Sequence, residues 1–251
     1  MASMRVLILG GTTEASALAR LVATWPRIEA TLSLAGVTAR PAAAPIPTRI
    51  GGFGGIGGLS DYLVRERFEA VIDATHPFAS QMSRHASEAC AGLDIPLLAL
   101  TRAPWSAVAG DRWIDVANAD DAPAALGEAP KRVFLTVGRL SLSAFIKAPQ
   151  HSYLVRTIDK PQGLDKLPAC EFVLDRGPFA VGDEERLMRC AKIEIVVSKN
   201  SGGDATYAKI VAARRLGLPV VMIRRPKAAP TPTVCTPEYA LDWLERHRRA
   251  L

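Results

Sequence analysis

Little in this 251-residue chain points to metal or disulfide chemistry. Its four cysteines, Cys90, Cys170, Cys190 and Cys235, lie far apart with no Cys-x-x-Cys pair, which argues against a metal knuckle and against a disulfide framework. No metal site is expected. Aromatic residues are also scarce, at 6% of a chain that is 49% hydrophobic, and Ala and Val are abundant. That balance suits an α/β protein better than an all-β one. No apolar run approaches the ~20 residues that span a bilayer, and the N-terminus lacks a charged-then-apolar signal pattern. A cytoplasmic location and no membrane partner are therefore expected. Walker spacing is missing too, as is any aromatic-basic stripe, so a P-loop ATPase and a nucleic-acid partner are both disfavoured.

Positive charge is present but unevenly placed. The net charge is +6, yet residues 1–125 hold 10 Lys/Arg against 12 Asp/Glu, while residues 126–251 hold the other 21 against 13. An anionic partner would favour the second half.

Strand-like apolar runs recur around residues 4–9, 28–34, 70–74, 95–100, 131–137, 151–157, 193–198 and 219–223, with helical patterns between many of them. Such alternation predicts an α/β fold with mostly parallel sheets built from βαβ units. Two stretches share a layout. Val71-Ile72-Asp73 and Val196-Val197-Ser198 each lead through a loop and a helix to Gly-Leu, a proline and another strand. Two Rossmann-like domains are expected, 1–115 and 116–251, with a cleft between them as the natural site. The region 103–130 is irregular, and residues 226–237 carry four prolines and read as a linker or strap. A final helix should follow, capped by Thr236 with Pro237 at its first position.

The segment Val6 to Ala15 carries the strongest chemical signal. A buried strand breaks through Gly10 and Gly11 into a helix, which offers free backbone N–H groups and the positive end of a helix dipole to a nucleotide phosphate. Thr12, Thr13 and Glu14 follow, so the spacing is not the usual Gly-x-Gly-x-x-Gly. A carboxylate beside a phosphate is awkward, which leaves the role of Glu14 open. At the end of the second strand, where an acidic residue would select NAD, Ser33 stands instead, with Arg40 shortly after. A hydroxyl and a guanidinium suit a 2′-phosphate, hence NADPH. Six glycines between Gly51 and Gly58, Gly52 among them, suggest a flat ligand lying against bare backbone.

Asp73, Thr75 and His76 lie at the carboxyl end of a strand, the edge where open α/β sheets bind ligands. His76 could orient a cofactor or donate a proton, since imidazole titrates near neutrality. In the second half, Lys199, Asn200, Ser201, Gly202 and Gly203 join an ammonium, an amide and a hydroxyl to two glycines before a helix, which suits a carboxylate or phosphate. Arg139 and Arg156 add cations at the ends of neighbouring strands.

Together, Leu-Gly-Gly-Thr-Thr-Glu-Ala at 9–15, Asp-Ala-Thr-His-Pro-Phe-Ala at 73–79, Gly138-Arg139, Arg176 to Phe179 and Ser198 to Gly203 resemble the precorrin-6A reductase family. The resemblance covers almost the whole chain. It implies NADPH-dependent reduction of a polyanionic tetrapyrrole, precorrin-6A, to precorrin-6B in cobalamin biosynthesis, with hydride going to C19 and a proton to C18. Neighbouring enzymes of the pathway are implied as partners. A related enzyme reduces the cobalt-containing substrate, and two other readings stay open, a non-enzymatic NADP-binding sensor and a nucleotide-dependent transferase.

Overall fold

The computed structural model describes residues 3–36, 43–159, 169–228 and 230–250. Among these residues two six-stranded sheets form, and every strand pair in both is parallel.

The first sheet is built from β1 (Met4–Leu9), β2 (Ile28–Leu34), β3 (Thr48–Ile50), β4 (Ala70–Asp73) and β5 (Leu97–Leu100). Helices α1 (Thr13–Ala23), α2 (Ile56–Arg65) and α3 (Ser80–Leu93) connect them. Side chains alternate along β1. Val6 and Ile8 join Leu18 and Val22 of α1 in one buried cluster, whereas Leu7 and Leu9 join Leu59 and Leu63 of α2 in another. Burial on both faces is why β1 reads as an unbroken apolar run.

The second sheet contains β6 (Trp113–Val116), β7 (Arg132–Thr136), β8 (Ser152–Thr157), β9 (Cys170–Leu174), β10 (Ile195–Lys199) and β11 (Val220–Ile223). Its helices are α4 (Ala122–Ala125), a 3-10 helix at Arg139–Lys147, α5 (Val181–Cys190) and α6 (Ala208–Arg215). Phe134, Val196, Val220 and Met222 pack with Met188 of α5 and with Ile210 and Ala213 of α6.

The chain then returns to the first sheet. Strand β12 (Thr233–Val234) pairs with β5, and α7 (Pro237–Ala250) places Ala240, Leu241 and Leu244 in the same cluster as Val6 and Ile8. Full burial of Leu244 contributes about 1.5–3 kcal/mol to that packing. Two compact units result, one of residues up to Ala103 plus those from Lys227 onward, the other Pro104–Pro226. Counting the C-terminal helix with residues 116–251 therefore differs from the packing, because its apolar face completes the first core. The proline-rich strap contains β12, and the irregular region contains β6.

The strand orders are β12-β5-β4-β1-β2-β3 and β6-β11-β10-β7-β8-β9. They match place for place, with β1 and β7 equivalent. In each sheet the edge beside β5 or β11 is filled by the strand that follows the other sheet's equivalent strand. Thr236 caps α7 as expected, accepting from the Tyr239 N–H at 3.3 Å.

Among the described residues, no helix is long and apolar enough to cross a membrane, and no group of three or more His, Cys, Asp or Glu could hold a metal.

Candidate active site

In the first unit the chemistry gathers at the carboxyl ends of β1, β2 and β4, which lie side by side. Gly10 donates its N–H to the Ser33 carbonyl at 2.8 Å, and a Cβ there would stand 2.6 Å from Leu32 Cδ1. The turn needs bare backbone at that point. Gly11 follows with φ +117°, a conformation that glycine favours. Thr12 caps α1, its hydroxyl accepting from the Ala15 N–H at 3.1 Å and donating to the Ala74 carbonyl at 2.8 Å. That hydroxyl is committed to holding the turn against the end of β4. Phosphate oxygens would instead meet first-turn N–H groups such as those of Thr13 and Glu14, which lack intrahelical acceptors.

Glu14 finds a partner that the sequence did not reveal. Arg102, just past β5, donates to its Oε2 at 2.6 Å, and the Thr13 hydroxyl donates to the same oxygen at 3.1 Å. Both ion-pair side chains are largely buried, at 17% and 18% exposure. Neutralisation by Arg102 removes the repulsion that a carboxylate would otherwise show to a phosphate.

Ser33 also has an arginine, but Arg49 of β3 rather than Arg40, which lies outside the described residues. The two are register partners in adjacent strands, and Arg49 Nη1 donates to Ser33 Oγ at 2.9 Å. The same guanidinium donates to the carbonyls of Gly51 at 2.8 Å and Gly52 at 3.1 Å, and its carbon lies 4.0 Å from the Phe53 ring centroid. No carboxylate pairs with it among the described residues. A fixed, half-buried cation of this kind is suited to an anion. Gly52 thus serves through its carbonyl. The glycine-rich run also ends in a close contact, because a Cβ at Gly58 would stand 1.8 Å from the Phe53 carbonyl oxygen.

Asp73 ends β4, where its Oδ1 accepts from the Thr75 N–H at 3.1 Å and the Thr75 hydroxyl at 2.7 Å. The pair shapes the loop that carries His76. His76 Nδ1 accepts from the Phe78 N–H at 3.2 Å, which assigns the ring proton of the neutral imidazole to Nε2.

In the second unit, Lys199 ends β10 and the loop to Gly203 follows. Burial pulls the Lys199 pKa below its ordinary value. The Asn200 side chain is engaged with Trp105, donating to its carbonyl at 2.9 Å and accepting from its N–H at 2.7 Å. Arg225 holds the Asn200 and Ser201 carbonyls. Arg139 is exposed at the start of the 3-10 helix, close to the end of β7. Arg156 is placed differently from what its strand-end position suggests. It donates to Glu184 Oε1 at 2.6 Å, with 7% and 2% of the two side chains exposed, and lies 4.0 Å over Phe179. Its charge is used inside the unit, because a buried carboxylate on α5 claims it.

The order of strands and the ligand-ready edges define a doubly wound α/β enzyme with two Rossmann-like units. A family model described as precorrin-6x reductase CbiJ/CobK matches residues 5–245. The chain belongs to this family, an oxidoreductase family of cobalamin biosynthesis. It is 52% identical to the precorrin-6A reductase of Rhodobacter capsulatus over 97% of this chain and 96% of that one. With the precorrin-6A reductase of Sinorhizobium sp the identity is 47%, over 96% and 93%. A cobalt-precorrin-6A reductase of Priestia megaterium is 27% identical over 88% and 91%. A solved structure titled "CobK precorrin-6A reductase" superposes with a TM-score of 0.93 at 51% identity, covering 97% of each chain.

Proposed function

We propose that this chain reduces cobalt-free precorrin-6A to precorrin-6B with NADPH, hydride going to C19 and a proton to C18. Preference for the cobalt-free macrocycle is supported by the higher identity to relatives named precorrin-6A reductase, 52% and 47% against 27%.

The cofactor assignment rests on one observation, the Arg49 guanidinium fixed beside Ser33 with no carboxylate partner among the described residues. Gly10, Gly11, Thr12 and Thr13 shape the phosphate turn, and Ser33 with Arg49 takes the 2′-phosphate in the place first given to Arg40. Asp73, Thr75 and His76 face the nicotinamide region, where the His76 Nε2–H orients the carboxamide. Bound NADPH supplies the hydride. Hydride transfer depends chiefly on aligning two π-systems, so these residues act mainly by holding and orienting. The acetate and propionate arms of the macrocycle go to Lys199, Ser201, Gly202, Gly203 and Arg139.

Purified protein should oxidise NADPH only when precorrin-6A is supplied, more slowly with the cobalt form, and poorly with NADH in place of NADPH. Arg49→Ala should raise the NADPH KM about tenfold, since a charged hydrogen bond contributes ~1.5–3 kcal/mol, and leave the NADH KM unchanged. Equal use of both cofactors by the unaltered enzyme would remove the 2′-phosphate assignment.

A further inference from the structure

The Ser198–Gly203 loop is gripped from behind by two residues outside it. Arg225 donates through Nε to the Asn200 carbonyl at 2.9 Å and through Nη2 to the Ser201 carbonyl at 2.8 Å. Trp105 donates its indole Nε1–H to the Gly203 carbonyl at 2.9 Å. Three of the loop's carbonyls are thereby fixed in direction.

A trans peptide is planar, and its C=O and N–H point in opposite senses. Holding the Ser201 carbonyl therefore aims the Gly202 N–H away from Arg225, and holding the Gly203 carbonyl aims the Asp204 N–H away from Trp105. Gly202 and Gly203 have φ of +66° and +69°. Such a turn makes a concavity of successive backbone N–H groups that suits an anion. Among the described residues no acceptor binds the Gly202 or Gly203 N–H, although Gly202 is buried. Buried N–H groups are normally paired, and an anionic ligand oxygen is one partner this turn can take.

The grips are themselves braced. Asn200 clamps the Trp105 backbone through both ends of its amide, the Tyr207 ring packs tilted against Trp105 with centroids 5.4 Å apart, and Lys209 Nζ lies 5.1 Å from the Trp105 ring centroid. Trp105 is the second residue of its unit and Arg225 the second-last, so the chain's entry and exit both end on this loop.

We propose that Trp105 and Arg225 are positioning residues that turn the Gly202–Asp204 amides toward a substrate carboxylate. This rests on the assignment of the Lys199–Gly203 loop to the tetrapyrrole arms. The test uses full-length W105F, R225K and K199A, with uroporphyrin III as a carboxylated tetrapyrrole probe and NADP as a control. Porphyrin anisotropy, NADP calorimetry and thermal melting are measured for each variant.

W105F and R225K should weaken the porphyrin about fivefold while NADP affinity and the melting temperature hold, and with precorrin-6A they should raise KM more than they lower kcat. Porphyrin affinity unchanged in W105F and R225K but lost in K199A would overturn the positioning role and keep the loop as the substrate site. If all three variants bind like the parent, the loop assignment itself falls, and the positioning role with it. Equal weakening of porphyrin and NADP would also overturn the proposal, since it would mark a general disturbance of the fold.

Discussion

Lys199 carries its ammonium to a partly buried strand end, where loss of water disfavours the charged form. Because its folded-state pKa is lowered, folding disfavours its proton. The cost is present in full below the folded pKa and fades as pH rises through it toward the unfolded value. If the loop binds the tetrapyrrole arms as proposed, an arriving carboxylate would favour the charge and draw the pKa back up, so that binding at alkaline pH would take up a proton there. The tetrapyrrole KM should therefore rise as pH climbs through the region just below the ordinary lysine range. Lys199→Arg should flatten that limb in a KM-against-pH profile, because guanidinium stays protonated. A parent profile with no alkaline limb would remove Lys199 from the binding of substrate charge. At this scale the sequence was informative about residue types at strand ends and silent about partners. It showed Ser33 but not Arg49, whose three-residue strand has no apolar pattern. It showed Glu14 but not Arg102, 88 positions away along the chain.

Strands β1, β2, β4, β5, β7, β8, β10 and β11 were legible as apolar runs, whereas β3, β6, β9 and β12 were not. The four missed strands are the four edges of the two sheets. An inner parallel strand is covered on both faces and is largely apolar, while an edge strand is partly exposed and carries a weaker apolar pattern. Arg156 illustrates the same limit, since its place near the end of β8 was legible but could not show that α5 supplies Glu184. Glu184→Ala should cost about 3–5 kcal/mol in a denaturant titration, because it strands a buried guanidinium. Among the described residues the Arg156 Nε and Glu184 Oε2 atoms have no hydrogen-bond partner, so the pair is incompletely satisfied there. Arg156→Met combined with Glu184→Leu should accordingly recover most of the loss. If Arg156→Ala instead raised substrate KM at unchanged stability, a direct role at the substrate would be restored.

Across the whole molecule, the second unit is a continuous segment and the first is not. Residues 104–226 expressed alone should unfold cooperatively in urea and retain porphyrin binding. Residues 1–103 alone lack β12 and α7, which leaves Val6, Ile8 and Leu18 without the cover of Leu241 and Leu244. That fragment should aggregate, and fusing it through a short linker to 227–251 should restore a soluble, helical product by circular dichroism. Failure of the fusion, with the middle segment folding normally, would show that the first sheet needs more than its own strands.

The return of the chain to β12 also sets a timetable. A ribosome releases the amino-terminal strands first, yet their sheet closes only when residues 233–234 appear, after the whole second sheet has been made. The sheet begun first is completed after the second one, and until residues 233–250 emerge it waits with one edge open.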